Sequence, residues 1–218
     1  MLFCAIQGGV FFQIIVLLTA IVMTIEWNNI ITSANFSKIV DDPNIDEEKS
    51  LLSSLKKANW WMITGIIYVL LPCISLLLLR SFADGLQLII FLFLIVWSCD
   101  ISAYFFGKLI GGPKLIPKIS PNKTYAGLFG AIFVSAIIGF FTSFIIDFYS
   151  KTFFVLLSAV MVIVAQAGDI FESWLKRRFD MKDSSNIIPG HGGILDRVDG
   201  LVTASVFLLI VVILYSPV

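Results

Sequence analysis

Six stretches of nearly unbroken apolar sequence, at about residues 3–25, 60–79, 86–106, 126–146, 152–170 and 200–217, dominate this chain of 218 residues. Each is close to the roughly 20 residues that a helix needs to cross a bilayer. In lipid the backbone of such a run satisfies its own polar groups only as a helix. The prediction is an all-α polytopic membrane protein with about six transmembrane helices. Composition agrees, since 58% of the residues are hydrophobic and 14% charged, against about 45–50% and about 25% in soluble domains. That balance excludes a soluble globular fold. The first stretch lacks a basic segment before it, and Glu26-Trp27 follows it where a signal peptide would have small residues. Cys4, Cys73 and Cys99 lie in or beside apolar runs with no C-x-x-C spacing, so neither a zinc site nor a disulfide framework is indicated.

Basic residues are retained on the cytoplasmic side of a membrane, and here they are strongly segregated. Six spans put Lys38, Lys49, Lys56 and Lys57 in the first loop, Lys108, Lys114, Lys118 and Lys123 in the third, and Lys176, Arg177, Arg178, Lys182 and Arg197 in the fifth. Only Arg80 and Lys151 fall on the other side. Both termini are therefore expected on the non-cytoplasmic face. The chain divides into an N-terminal region, 1–84, with a polar cytoplasmic loop at about 26–59, and a region 85–218 with cytoplasmic loops 107–125 and 170–199. The first loop mixes Asp41, Asp42, Asp46, Glu47 and Glu48 with lysines and reads as a solvated segment. A formal net charge of zero gives no sign of nucleic-acid binding.

The remaining polar residues concentrate in 98–125 and 166–203. Asp100, Tyr104 and Lys108 recur at i, i+4 and i+8 on roughly one helical face. Ionisable groups at membrane depth are costly and call for a reason, although an aspartate fixing helix packing explains Asp100 equally well. The proline-punctuated segment Pro117-Lys118-Ile119-Ser120-Pro121-Asn122-Lys123-Thr124 offers ammonium and hydroxyl groups for a phosphate. It also suits anionic lipid headgroups, and the segment alone does not decide. Farther on, Asp169, Glu172, Ser173 and Lys176 share a face at i, i+3, i+4 and i+7, and Asp196 and Asp199 share another at the mouth of the last span. Three aspartates without a thiol or histidine cluster form a hard oxygen site of the kind Mg²⁺ takes together with substrate phosphates. Between them runs Pro189-Gly190-His191-Gly192-Gly193, whose glycines let backbone N–H groups approach an anion. His191 reads either as a structural residue or as a proton donor near a leaving phosphate. Lys176-Arg177-Arg178 reads either as a membrane anchor or as a source of phosphate ligands.

From Ser173 to Asp199 the sequence SWLKRRFDMKDSSNIIPGHGGILDRVD resembles the signature of the phosphatidate cytidylyltransferases, also called CDP-diacylglycerol synthases. The matching positions are Ser173, Lys176-Arg177, Lys182-Asp183, Ser185, Pro189, His191-Gly192-Gly193, Asp196-Arg197 and Asp199. A second stretch is similar: Asp100, Ala103-Tyr104, Gly107-Lys108, Ser120-Pro121, Lys123-Thr124 and Gly127. It departs from the family at Lys108, commonly arginine, at Asn122, commonly glycine or lysine, and at Ala126, where a glutamate is usual. The likeness covers about residues 85–205. Family members are usually longer at the N-terminus, so one or more N-terminal spans are expected to be lacking.

The resemblance implies that phosphatidate attacks the α-phosphorus of CTP, giving CDP-diacylglycerol and pyrophosphate. It implies Mg²⁺, with a second cation such as K⁺, on Asp169, Asp196 and Asp199, with Ser173, Lys176 and His191 completing the catalytic set. Lys123, Ser120, Thr124, Arg197, Lys182, Tyr104 and Asp100 are the substrate-binding candidates. A homodimer in a bacterial inner membrane, with its site on the cytoplasmic face, is the accompanying expectation. The rival enzyme is a CTP-dependent polyprenol or dolichol kinase. A CDP-alcohol phosphotransferase fits less well, because Asp199-Gly200 is not followed by that class's Ala-Arg and spaced aspartates. A transporter would place its polar residues at the midplane, whereas these cluster at one face, and a scaffold leaves the three aspartates unexplained.

Overall fold

The computed structural model describes residues 2–40, 47–146, 150–185, 187 and 192–215, the side chains of 33–40 and 47–59 excepted. Its helices are α1 (Leu2–Gln7), α2 (Gly9–Val40), α3 (Glu47–Ser81), α4 (Gly85–Leu109), α5 (Tyr125–Thr142), α6 (Lys151–Arg178) and α7 (Leu195–Tyr215). Between α4 and α5 lie two short strands, β1 (Lys114–Ile116) and β2 (Ser120–Thr124). Six helices are long and apolar enough to cross a membrane: Gly9–Thr32, Trp60–Ser81, Gly85–Leu109, Tyr125–Thr142, Lys151–Arg178 and Leu195–Tyr215. The chain is a polytopic α-helical membrane protein, as its apolar runs require.

Three boundaries differ from those read off the sequence. The segment 26–59 is largely helical, because α2 continues to Val40 and α3 already begins at Glu47. Polar residues in the last turns of a long helix cost nothing once they project into water, so the apolar run ends before the helix does. For the same reason α6 reaches Arg178, well past residue 170. The third difference is the antiparallel hairpin in 107–125, with Lys114 opposite Thr124 and Ile116 opposite Ser120. Tyr125 N donates to Pro113 O at 3.2 Å and closes it.

Lipid tails are as apolar as leucine, so helices associate in a membrane through close packing and polar bonds instead of a hydrophobic drive. The exposed side chains are accordingly large and apolar, including Phe129, Phe133, Phe141 and Ile163. Small residues mark the contacts. A Cβ on Gly130 would collide with the Phe106 ring, which brings α5 onto α4. One on Gly168 would collide with Thr203 Oγ1, the hydroxyl that donates to Val164 O at 3.0 Å and clips α7 to α6. A second buried cluster, Met23, Trp27, Ile30, Ile31, Val69, Leu175, Leu195 and Val202, joins α2 and α3 to the end of α6 and the start of α7. Phe179, Met181 and Ile194 pack against it.

Candidate active site at the helix ends

The end of α4, the hairpin, the start of α5, the end of α6 and the start of α7 meet at one end of the bundle. The hairpin is held there by a helix cap. Thr124 has extended backbone (φ −121°, ψ 156°), and its hydroxyl accepts from Gly127 N at 3.1 Å. This is the usual way to satisfy an orphan N–H at a helix start. Thr124 is 4% exposed, and its oxygen caps α5.

Lys123, one residue earlier, reaches α6. Its Nζ lies 2.5 Å from Asp169 Oδ2 and 3.5 Å from Gln166 O. Asp100, Tyr104, Ser120, Thr124, Lys123 and Asp169 all line one cavity of about 260 Å³. Six candidates chosen from separate stretches of sequence thus share a single space. Lys108 instead stacks over the Tyr104 ring, 5.7 Å from its centroid. Ser173 Oγ donates to Asp169 Oδ1 at 3.5 Å. Asp199 Oδ1 accepts from Gly200 N at 2.7 Å, and its carboxylate interacts electrostatically with Asp169 and Asp100.

Asp196 is held by hydrogen bonds from both sides. Its Oδ1 accepts from Lys176 Nζ at 2.6 Å, and its Oδ2 accepts from Ser184 N, Ser184 Oγ and Gly193 N at 2.9, 2.9 and 2.8 Å. The bond from Gly193 N, three residues earlier, resembles the return arm of a capping box at the start of α7. Lys176 Nζ also donates to Glu172 Oε1 at 3.0 Å. Among the described residues no group of three His, Cys, Asp or Glu side chains is arranged to hold a metal. Asp196 ties Ser184 and Gly193 to Lys176 of α6.

Two buried polar atoms have no hydrogen-bond partner among the described residues, Glu172 Oε2 and Tyr68 Oη. Glu172 is 0% exposed. A carboxylate oxygen left unpaired in an apolar interior costs more than a neutral group. Lys182 and Arg197 are exposed on the same end of the bundle. His191 lies outside the described residues, and with it the expectation for its role.

One polar residue of this region was not singled out from the sequence. Glu26, the sole acidic residue of α2, is 0% exposed. It accepts from Ser184 Oγ, Ser185 Oγ, Ile194 N and Leu195 N at 3.3, 2.6, 2.9 and 2.7 Å. The available signal was that apolar residues resume after it at Ile30 and Ile31, which places the carboxylate inside the span instead of beyond it.

Comparison with known proteins gives the same direction as the motifs. A model described as "Cytidylyltransferase family" matches residues 1–215. The chain is 43% identical over 159 residues to a phosphatidate cytidylyltransferase of Brucella abortus, covering 72% of this chain and 59% of that protein. It is 40% identical over 162 residues to the protein of that name from Rickettsia bellii, covering 71% of this chain and 70% of that protein. For the Rickettsia prowazekii protein of that name the figures are 41% over 159 residues, 69% and 69%. The chain thus spans about three-fifths of the length of the Brucella relatives. With nearly its whole length matched by one family model, this chain belongs to the cytidylyltransferase family.

Proposed function

We propose that the chain is a CTP:phosphatidate cytidylyltransferase of a bacterial inner membrane, with its site and its basic loops cytoplasmic and both termini on the opposite face. The observation that carries this reading is the cavity in which the Lys123 ammonium meets Asp169 beside Asp100 and Ser120 at the ends of apolar spans. A water-soluble nucleotide reaches such a place from one side and a lipid phosphate from the other. Residues 85–218 form the catalytic region, and a homodimer is the proposed assembly.

The chemistry joins two polyanions, so positioning and charge neutralisation supply most of it. Lys123 and Lys176 are the ammonium groups nearest the carboxylates and neutralise phosphate oxygens, while Ser120 and Tyr104 orient the substrate at the cavity wall. A phosphate oxygen of phosphatidate attacks the α-phosphorus of CTP and pyrophosphate departs. The attacking group is already ionised and needs no general base. Mg²⁺ fits the donor set, because the Asp169 and Asp199 carboxylates interact, Glu172 leaves one buried oxygen unpaired, and all are hard oxygen ligands. Asp169 and Asp199 would hold it, with Ser173 adjacent, and Asp196, whose Oδ1 is covered by Lys176, is the third carboxylate of that set. When bound, the metal supplies charge neutralisation of the phosphates.

The test is turnover of labelled CTP by the purified protein with phosphatidate and Mg²⁺, beside Asp169→Asn and a polyprenol control. CDP-diacylglycerol from the wild type alone supports the assignment. Phosphorylated polyprenol instead moves the chain to the CTP-dependent kinases. No lipid product from folded protein overturns both.

A further inference from the structure

The first span carries a carboxylate in a place where lipid would make it costly. Glu26 is fully buried, and four donors converge on its two oxygens. Two of them, Ile194 N and Leu195 N, belong to the start of α7 (Leu195–Tyr215), where a helix leaves N–H groups without intrahelical partners and favours negative charge. The cap that α7 needs therefore comes from a different helix, 168 and 169 residues away in sequence. The other two donors are the hydroxyls of Ser184 and Ser185. Ser184 donates its N–H to Asp196, and its single hydroxyl proton is shared between Asp196 Oδ2 at 2.9 Å and Glu26 Oε2 at 3.3 Å. Gly193 lies between the two carboxylates: its N–H bonds Asp196, and a Cβ there would collide with Ser184 Oγ and come within 2.5 Å of Glu26 Oε1. The close approach leaves no room for a side chain.

We infer that Glu26 is a positioning residue of the active site, fixing the start of α7 together with Ser184 and Ser185 so that Asp196 and Asp199 hold their places relative to Asp169 and Lys176. Glu26 touches no proposed substrate and acts through the residues it binds. Each of its oxygens meets a backbone N–H, Ile194 N at Oε1 and Leu195 N at Oε2, which can only donate, so both oxygens must accept. Glutamine of nearly the same volume turns one acceptor into an NH₂ group that faces one of these N–H groups. The first span thereby becomes part of the site although it contributes no group to the cavity. This inference rests on the cytidylyltransferase reading for its effect on rate, and on geometry alone for its hold on the start of α7.

The experiment compares wild type, Glu26→Gln and the milder Ser185→Ala in detergent, with two readouts. The first is CDP-diacylglycerol formation resolved into kcat and KM for CTP. A misplacement of reacting groups by about 1 Å costs up to roughly a hundredfold in rate, so Glu26→Gln is expected to lower kcat by roughly ten- to a hundredfold with KM changed little. Ser185→Ala, which removes one of four donors, is expected to fall between it and wild type. The second is amide hydrogen exchange by mass spectrometry, where peptides spanning 183–198 are expected to lose protection in Glu26→Gln while peptides of α4 and α5 keep theirs. Unchanged kcat with unchanged exchange overturns the inference, and so does loss of protection spread evenly over all helices, which marks a residue of general stability. If the wild type makes no CDP-lipid, the proposed reaction falls while the exchange readout still decides whether Glu26 holds the start of α7.

Discussion

At the scale of single residues, two lysines stand among more carboxylates than they can neutralise. Lys123 has Asp169 at 2.5 Å, whose charge interacts with that of Asp199, and Lys176 has Asp196 and Glu172 at 2.6 and 3.0 Å. Removing either ammonium leaves negative charge without compensation where a polyanionic substrate must approach. Lys123→Ala is expected to lower the rate of CDP-diacylglycerol formation about a hundredfold, the range seen when one preorganised electrostatic contact is lost. Labelled-CTP turnover checks this, with Lys123→Arg retaining part of the activity. Asp196→Asn acts differently, because the amide nitrogen meets donors at Ser184 and Gly193. Leaving buried groups unsatisfied costs about 1–3 kcal/mol, equivalent to about 2–12 °C in a chain of this size. Thermal unfolding in detergent should show that loss in addition to any loss of turnover.

At the scale of elements, helix contacts position the site. The α6–α7 contact runs through Gly168, one residue before Asp169, where a Cβ would come within 2.9 Å of Asp199 O as well as striking Thr203. Gly168→Ala is therefore expected to push the Asp169 and Asp199 carboxylates apart. Overpacking of this kind costs about 1–3 kcal/mol, so the apparent melting temperature should fall while turnover falls further than stability alone explains. Thr124→Val removes the α5 cap, worth roughly 0.5–2 kcal/mol, and melting measurements should show it. The six spans were legible because apolar runs of about twenty residues admit one solution in lipid. Their polar extensions were not, since Lys176-Arg177-Arg178 reads alike in a helical turn or a loop. The hairpin was hidden because Pro117 and Pro121 punctuate it, and its strands are three and five residues long. The site residues were legible as types and spacings. The partners of Asp196 were not, because spacing within α7 puts Asp196 and Asp199 on one face without saying which donors each will meet. Glu26 escaped because its partners lie at the far end of the chain.

At the scale of the whole molecule, the charge asymmetry and the bundle geometry bear on the same question from different sides. The loops carrying most of the lysines and arginines are those whose helix ends meet at the cavity, while Arg80 binds Ala5 O at 3.0 Å beside the bend at Gly8 and Gly9. In a background without Cys4, Cys73 and Cys99, Lys118→Cys and Ala83→Cys place single thiols at exposed positions. A membrane-impermeant maleimide applied to intact cells with a permeabilised outer membrane is expected to label Ala83→Cys and to spare Lys118→Cys until the cells are lysed. The reverse pattern would invert the orientation. The bond from Glu26 to Leu195 also has a consequence in time. During synthesis the first span enters the bilayer long before residue 195 has left the ribosome, and at about 5–20 residues per second the interval is on the order of ten seconds. For that interval the Glu26 carboxylate has none of its four donors, and the arrangement around it is complete only once the start of α7 has been made.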